Sequence, residues 1–287
     1  IYTLSLHDAL PIYRVSECVN KYYIHNNEIK YCEQFDDNIL IGGKSLYEVI
    51  RIIDGKPLFL HKHLNRLENS CNITDLQIWL SKDEIKNKIC ELIESNNTSI
   101  GNVKIIFKFD NVNSFFAYFV KHHYPSDEDY KNGVNTILYH GERENPNAKI
   151  INMNFRAAVD KEIKEKDAYE AILVNKKGYI TEGSKSNIFM IKGNSVITAP
   201  LVDVLPGITR AVIMELCSEI GLEVLEKNVH YGEVKDLDGL FISGTSPKVL
   251  PISRVDNIEF DSVNNKAILE IMKKYNEVVQ EDTKSFD

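Results

Sequence analysis

Four short segments carry residue types that could act together on a carbonyl group and an anion: Lys149, then TEGSKSN at 181–187, LPGITR at 205–210 and SGTSPKVLP at 243–251. A lysine amine condenses with an aldehyde to form a Schiff base. A carboxylate such as Glu182 can keep a ring nitrogen protonated, so that the ring draws electrons from a bonded carbon. The Pro206-Gly207 turn leads into a helix expected to open at Thr209, leaving the amides of Ile208 and Thr209 free to point at an anion. Thr245, after an expected strand, offers a hydroxyl beside an amide. An aldehyde, a ring nitrogen and a phosphate are the handles of pyridoxal 5'-phosphate (PLP), and these segments supply a partner for each. Taken singly, each residue also has a plainer role: a solvated lysine, an acid in a hairpin turn, a helix cap, a β-turn. Lys161, Lys164 and Lys166 lie on a charged helix and read as solvated.

The chain around these segments has the composition of a globular enzyme. Its 287 residues suit one or two domains, and 43% hydrophobic with 26% charged residues is enough to build a core. The formal net charge of −8 carries no basic stripe, which argues against nucleic acid as a partner and makes any anion site local. No apolar run approaches the ~18 residues of a membrane span. The five cysteines are widely spaced with no CxxC, and the eight histidines form no HExxH pattern. Reduced thiols in the cytoplasm and no metal site are expected. The segment IYTLSLHDALPI at 1–12 resembles a translated sequencing adapter and is set aside from the fold. It lacks the basic start and long apolar core of a secretory signal.

The pattern from residue 13 predicts a mixed α/β (α+β) chain in two domains. A hairpin is expected over 22–35, a helix or strand from 45 passing into strands around Asp54-Gly55, and strands at 103–109 and 115–120. Between them, Leu64, Leu67 and Cys71 recur at helical spacing in 61–73, and Ser81 with Glu84 opens a second helix over 81–96. These elements form a smaller N-terminal domain, 13–121. The polar stretch 122–134, with Pro125 and Gly133, reads as a linker. Beyond it, in 135–287, helices near 155–166, 209–220 and 262–279 alternate with strands at 135–139, 170–174, 178–182, 187–191, 195–198, 223–228, 239–243 and 248–252.

With these motifs in this order, the chain from about 38 to 258 resembles the class IV, fold-type IV PLP-dependent aminotransferases, a group that includes branched-chain and D-amino acid aminotransferases and aminodeoxychorismate lyase. The resemblance implies that Lys149 in NPNAKIINMN holds the cofactor aldehyde and carries the substrate proton. It implies that Glu182 pairs with the pyridine nitrogen, with Ser184 and Asn187 supporting its turn. It places Arg66 of HLNRL (63–67), with Ile208, Thr209 and Thr245, on the phosphate. A cleft between two domains and a homodimer are also implied.

Substrate choice is less determined. The family's aromatic-rich segment before SLYE reads NILIGGK (38–44) here, leaving Tyr47 as the aromatic candidate. Where branched-chain enzymes carry a tyrosine and arginine pair and D-amino acid enzymes an arginine and histidine, this chain has FVKHHYP. Lys121 and His123, at alternate positions of an expected strand, are candidate carboxylate partners, as is Ser246 beside Thr245. The leading expectation is transamination between an amino acid, branched-chain by default, and a 2-oxo acid. The alternatives are elimination to an aromatic amine and pyruvate, as in the lyase, or a PLP-binding protein without turnover. Intact Lys149, Glu182 and Arg66 disfavour the last.

Overall fold

The computed structural model describes residues 16–40, 42–150 and 152–286; the segment 1–12 lies outside them. Two sheets organise the chain. The first has six strands: β1 (Cys18–His25), β2 (Glu28–Tyr31), β3 (Lys44–Ile53), β4 (Lys56–Pro57), β5 (Gly101–Phe109) and β6 (Ser114–Val120). They lie in the order β2-β1-β6-β5-β3-β4, every neighbouring pair antiparallel. The expected hairpin is β1–β2, turning at Asn26-Asn27. The ambiguous stretch from residue 45 is a strand, as its Ile and Val content favours.

Helices α1 (Leu60–Thr74) and α2 (Lys82–Asn96) cover one face of this sheet. Along β3 the side chains alternate. Leu46, Ile50 and Ile52 join Leu64, Leu67, Ile85 and Ile89 in one core cluster, while Tyr47 belongs to a second cluster with Ile106, Phe116 and Tyr118. Glu48 shares the face of Leu46 and Ile50, toward α1. The Ser81–Glu84 capping box forms as expected, with reciprocal bonds at the start of α2.

The stretch 122–134 is not wholly irregular. It carries α3 (Asp127–Asn132), opened by a second capping box in which Ser126 and Asp129 exchange hydrogen bonds.

The second sheet has nine strands: β7 (Val134–His140), β8 (Glu170–Val174), β9 (Ile180–Gly183), β10 (Asn187–Lys192), β11 (Ser195–Thr198), β12 (Glu223–Glu226), β13 (Gly239–Gly244), β14 (Lys248–Val255) and β15 (Ile258–Glu259). Its path is β12-β11-β10-β13-β14-β7-β8-β9, with parallel pairs β11–β12, β14–β7 and β7–β8. Strand β9 also pairs back to β10 through Glu182 opposite Asn187, so six strands from β10 round to β9 close into a ring. Glu182 is fixed at the seam of that ring. Helix α4 (Met153–Glu165) packs on β7 and β8 through Val159. Helices α5 (Ile208–Glu219) and α6 (Lys266–Ser285) pack on the other side with Phe189 and Phe241.

That last cluster also takes in Leu58 and Phe59 from the first half of the chain. The Phe59 amide donates to Asp282 of α6 at 2.7 Å, which anchors the start of α1 against the second sheet. The mixed α/β architecture expected from sequence is the one observed. No helix among the described residues is long and apolar enough to cross a membrane.

Leu67 is 1% exposed and locks α1 onto the sheet one residue from Arg66. Leu67→Ala is expected to lower unfolding free energy by about 2–5 kcal/mol in chemical denaturation. A loss below about 1 kcal/mol would show that α1 is not held by this contact.

Candidate active site

Lys149 sits on an irregular segment that two short contacts hold between the sheets. Its carbonyl accepts from the Tyr47 amide of β3 at 3.3 Å, and its amide donates to Ser70 of α1 at 3.3 Å. The next residue, Ile150, bridges to Leu46. The lysine side chain lines a pocket together with Tyr47, Arg66, Glu182, Thr209 and Thr245, and its ammonium nitrogen lies 4.9 Å from the centre of the Tyr47 ring. Ile208 lines the same pocket. Seven of the ten residues singled out from sequence thus converge on one place, from both halves of the chain.

Burial pushes the Lys149 amine down to about 8, with Arg66 adding to the fall and Tyr47 opposing it. A lysine held there is neutral far more often near pH 7 than an ordinary lysine, which favours nucleophilic attack and proton transfer. Burial by itself pushes the Tyr47 phenol up, but the positive charges of Lys149, Arg156, Lys104 and Arg143 outweigh it and bring the phenol down to about 7.

Glu182 is 3% exposed, and burial pushes its carboxyl above the usual range against the pull of Arg143. Arg143 donates to it at 3.0 Å and to the Ala148 carbonyl at 3.3 Å, so one side chain fixes both the acid and the segment carrying Lys149. The Leu205 amide donates to the other carboxylate oxygen at 2.9 Å. The turn after Glu182 is gathered by buried Glu170, which accepts from the Ser184 amide and hydroxyl, the Lys185 amide and the Ser186 hydroxyl. Ser184 and Asn187 hold the turn as expected; Asn187 donates to the Leu205 carbonyl at 3.0 Å.

Helix α5 begins at Ile208 with Gly207 as its N-cap and no side-chain cap, so its first amides are not taken by a capping group. Glycine at 207 lets the loop pass close against Asn187. A Cβ there would fall 2.0 Å from the Asn187 side-chain oxygen. Arg66 enters from α1. Its guanidinium forks onto Glu48 at 2.8 and 2.5 Å, and a third nitrogen donates to the Pro206 carbonyl at 3.3 Å. The Glu48 carboxylate, fully buried, also accepts from His63 at 2.7 Å. Burial alone would raise Glu48, but the charge of Arg66 and the hydrogen bonds from Arg66 and His63 prevail and hold it down at about 2.

These residues fit a phosphorylated aldehyde cofactor. Arg66, Thr209, Thr245 and the α5 amides are positive or donating groups at one part of the pocket, and Ser243 in the same wall keeps a buried hydroxyl with no partner among the described residues. Such an orphan is costly unless an anion or other ligand meets it.

Three of the ten lie outside this pocket. Strand β6 ends at Val120, so Lys121 and His123 lie past it, exposed and outside the pocket lining. The alternation argument needed the strand to run on to residue 123, but Val120 is the last to find a partner in β1 and β5. Ser246 turns away as well: its hydroxyl accepts from the Asn102 side-chain amide at 2.9 Å.

The sequence reading also passed over Glu48, Arg143 and Arg156. Arg156 lines the pocket from the first turn of α4, on a helix whose residues the sequence marked only as charged. The other two carry no local motif.

The family model for class IV amino-transferases matches residues 45–255. The D-alanine aminotransferase of Bacillus licheniformis is 30% identical over 226 residues, covering 75% of this chain and 80% of its own. The branched-chain-amino-acid aminotransferase of Escherichia coli strain K12 is 29% identical over 240 residues, covering 76% and 78%. In fold, the chain superposes with a TM-score of 0.82 on the branched-chain aminotransferase of Thermoproteus uzoniensis solved with norvaline, at 20% identity over 92% of this chain and 96% of the other. The chain belongs to the class IV aminotransferases. It is an enzyme of the transaminase type.

Two outcomes follow from the site. Glu48 has its folded pKa depressed, so its stabilisation is full above its ordinary value of 4.5 and is lost as pH falls toward about 2. Glu48→Gln should cost about 3–5 kcal/mol at pH 7 and flatten the acid loss of stability across that window, measured by urea unfolding. An unchanged acid profile would contradict the clamp. In the cofactor-free protein, acylation of Lys149 followed by peptide mapping should rise with a midpoint near pH 8; a midpoint in the ordinary lysine range of about 10.4 would contradict its burial.

Proposed function

We propose that the enzyme uses pyridoxal phosphate to move an amino group between an amino acid and a 2-oxo acid, with Lys149 as the residue that holds the cofactor. The observation that carries this is the half-buried Lys149 amine, lowered to about 8, in one pocket with Glu182, Arg66, Thr209 and Thr245. When bound, the cofactor supplies an aldehyde for the substrate amine and a ring that withdraws electrons from the substrate carbon. Arg66, Thr209, Thr245 and the Ile208 amide hold its phosphate. Glu182 keeps the ring nitrogen protonated, its carboxylate held in place by Arg143 and the Leu205 amide. The Lys149 Nζ would be the base that takes the proton from the substrate α-carbon and the acid that gives it back.

Tyr47 and Arg156, facing the same pocket, are the groups placed to receive the substrate carboxylate. Branched-chain amino acids are the first donors to test, on the strength of the Escherichia coli relative; the D-alanine relative makes D-alanine the second. The two sheets divide the work as domains 13–121 and 135–287, with the cofactor in the cleft between them, in a cytoplasmic homodimer.

Lys149→Ala should abolish the visible absorption of the bound cofactor, whereas Glu182→Gln should retain the cofactor but lose about 100-fold or more in kcat. Persistence of the wild-type spectrum in the lysine variant would overturn the assignment. With L-leucine, L-glutamate or D-alanine alone, one donor should convert the spectrum once and stop until a 2-oxo acid is added. Continuous release of pyruvate from aminodeoxychorismate without an acceptor would instead establish the elimination reaction.

A further inference from the structure

Beside the candidate active site lies a second cavity of about 430 Å³, within the roughly 300–1,000 Å³ range of small-molecule sites. The turn 244–248 separates the two: Gly244 and Thr245 face the first, Lys248 and Val249 the second. The second cavity has a polar pole and an apolar one. At the polar pole are Arg51 and Lys248, neither of which forms an ion pair among the described residues.

Arg51 stacks on the Tyr124 ring at 3.9 Å and spends one nitrogen on the Ser246 and Thr245 carbonyls, at 2.9 and 3.4 Å. Its Nε is buried without a partner among the described residues. Among the described residues, the Lys248 amine donates to the Asn276 side-chain oxygen at 3.3 Å and to no carboxylate. Burial lowers the Lys248 amine, and the neighbouring Arg51 charge lowers it further. Two cations facing one partly dry space repel each other, and an anion between them relieves both. The nearest acid lining the cavity, Asp127 on α3, is exposed and pairs with neither.

We propose that this cavity is a second ligand site, for a small organic carboxylate whose anionic end lies between Arg51 and Lys248. The remaining wall is Val249, Met272 and the rings of Tyr124 and Tyr130, which suits an apolar or planar body and leaves a bare inorganic ion with most of the space unfilled. The site is wired to its neighbour. Arg51 holds the carbonyl of Thr245, and Tyr275, lining the second cavity, donates to the Thr209 hydroxyl at 3.4 Å. Occupancy therefore bears on the groups assigned above to the cofactor phosphate. That consequence rests on the proposed cofactor; the binding itself does not.

Benzoate is the probe, titrated calorimetrically into the full-length cofactor-loaded protein, with inorganic phosphate as the competing simple anion. Lys248→Met removes one cation, and Met272→Trp fills the cavity from α6 without touching the cations. Benzoate should bind wild type roughly tenfold or more tightly than either variant and raise its melting temperature, while the visible spectrum and circular dichroism stay the same in all three. Equal benzoate affinity in wild type and in a folded variant would place the probe in the active site and overturn the proposal, as would no binding to wild type. Phosphate that displaces benzoate and stabilises the protein equally well would overturn the organic part of the assignment. Absence of any cofactor spectrum in the wild-type protein after loading would instead count against the cofactor reading, since the binding heat does not depend on it.

Discussion

The buried Glu48 carboxylate is the contact on which the site depends. Desolvation penalises a lone carboxylate severely, so it can persist only inside a full set of donors. Arg66 and His63, three residues apart on α1, provide them. Burial lowers the His63 imidazole, so this neighbour donates as a neutral ring and leaves the positive charge to Arg66. The consequence is directional. With two guanidinium nitrogens committed to Glu48, the remaining edge of Arg66 has one way to point, toward Pro206 and the start of α5. Strand β3, helix α1 and helix α5 are registered by one ion cluster.

A comparable economy governs the other end of the pocket. The ring of strands closes where Glu182 faces Asn187, and both side chains then engage the Leu205 backbone, one at its amide and one at its carbonyl. The acid opposite the lysine and the loop leading into α5 cannot move independently. The pocket also gathers Arg66, Arg143, Lys149, Arg156 and Lys185, against Glu182 in its lining and Glu48 behind Arg66. A chain with net charge −8 has therefore concentrated positive potential at one site, which suits anionic cofactors and substrates and draws them there.

Much of this was legible in the sequence where the signal is local. The Ser81–Glu84 box, the apolar period of α1 and the glycine turns around β9 each report short-range physics, and Lys149, Glu182, Thr209 and Thr245 followed from the order of their motifs. The same capping pattern recurs at Ser126 and Asp129, yet the polar composition of 122–134 masked a short helix. Lys121 and His123 were misplaced because strand length is decided by the partner strands and not by the run of residues itself. Glu48 and Arg143 were illegible for a related reason. A buried acid in an apolar strand and an arginine in a polar loop acquire meaning only from partners 18 and 39 positions away.

The central claim is that Lys149, among all the lysines, is the one joined to the cofactor. Lys185 lines the same pocket and provides an internal competitor. The direct measurement is borohydride reduction of the cofactor-loaded protein, followed by proteolysis and mass mapping of the modified lysine. The account predicts a single phosphopyridoxyl adduct on Lys149; an adduct on Lys185 or any other lysine, with Lys149 unmodified, would contradict it.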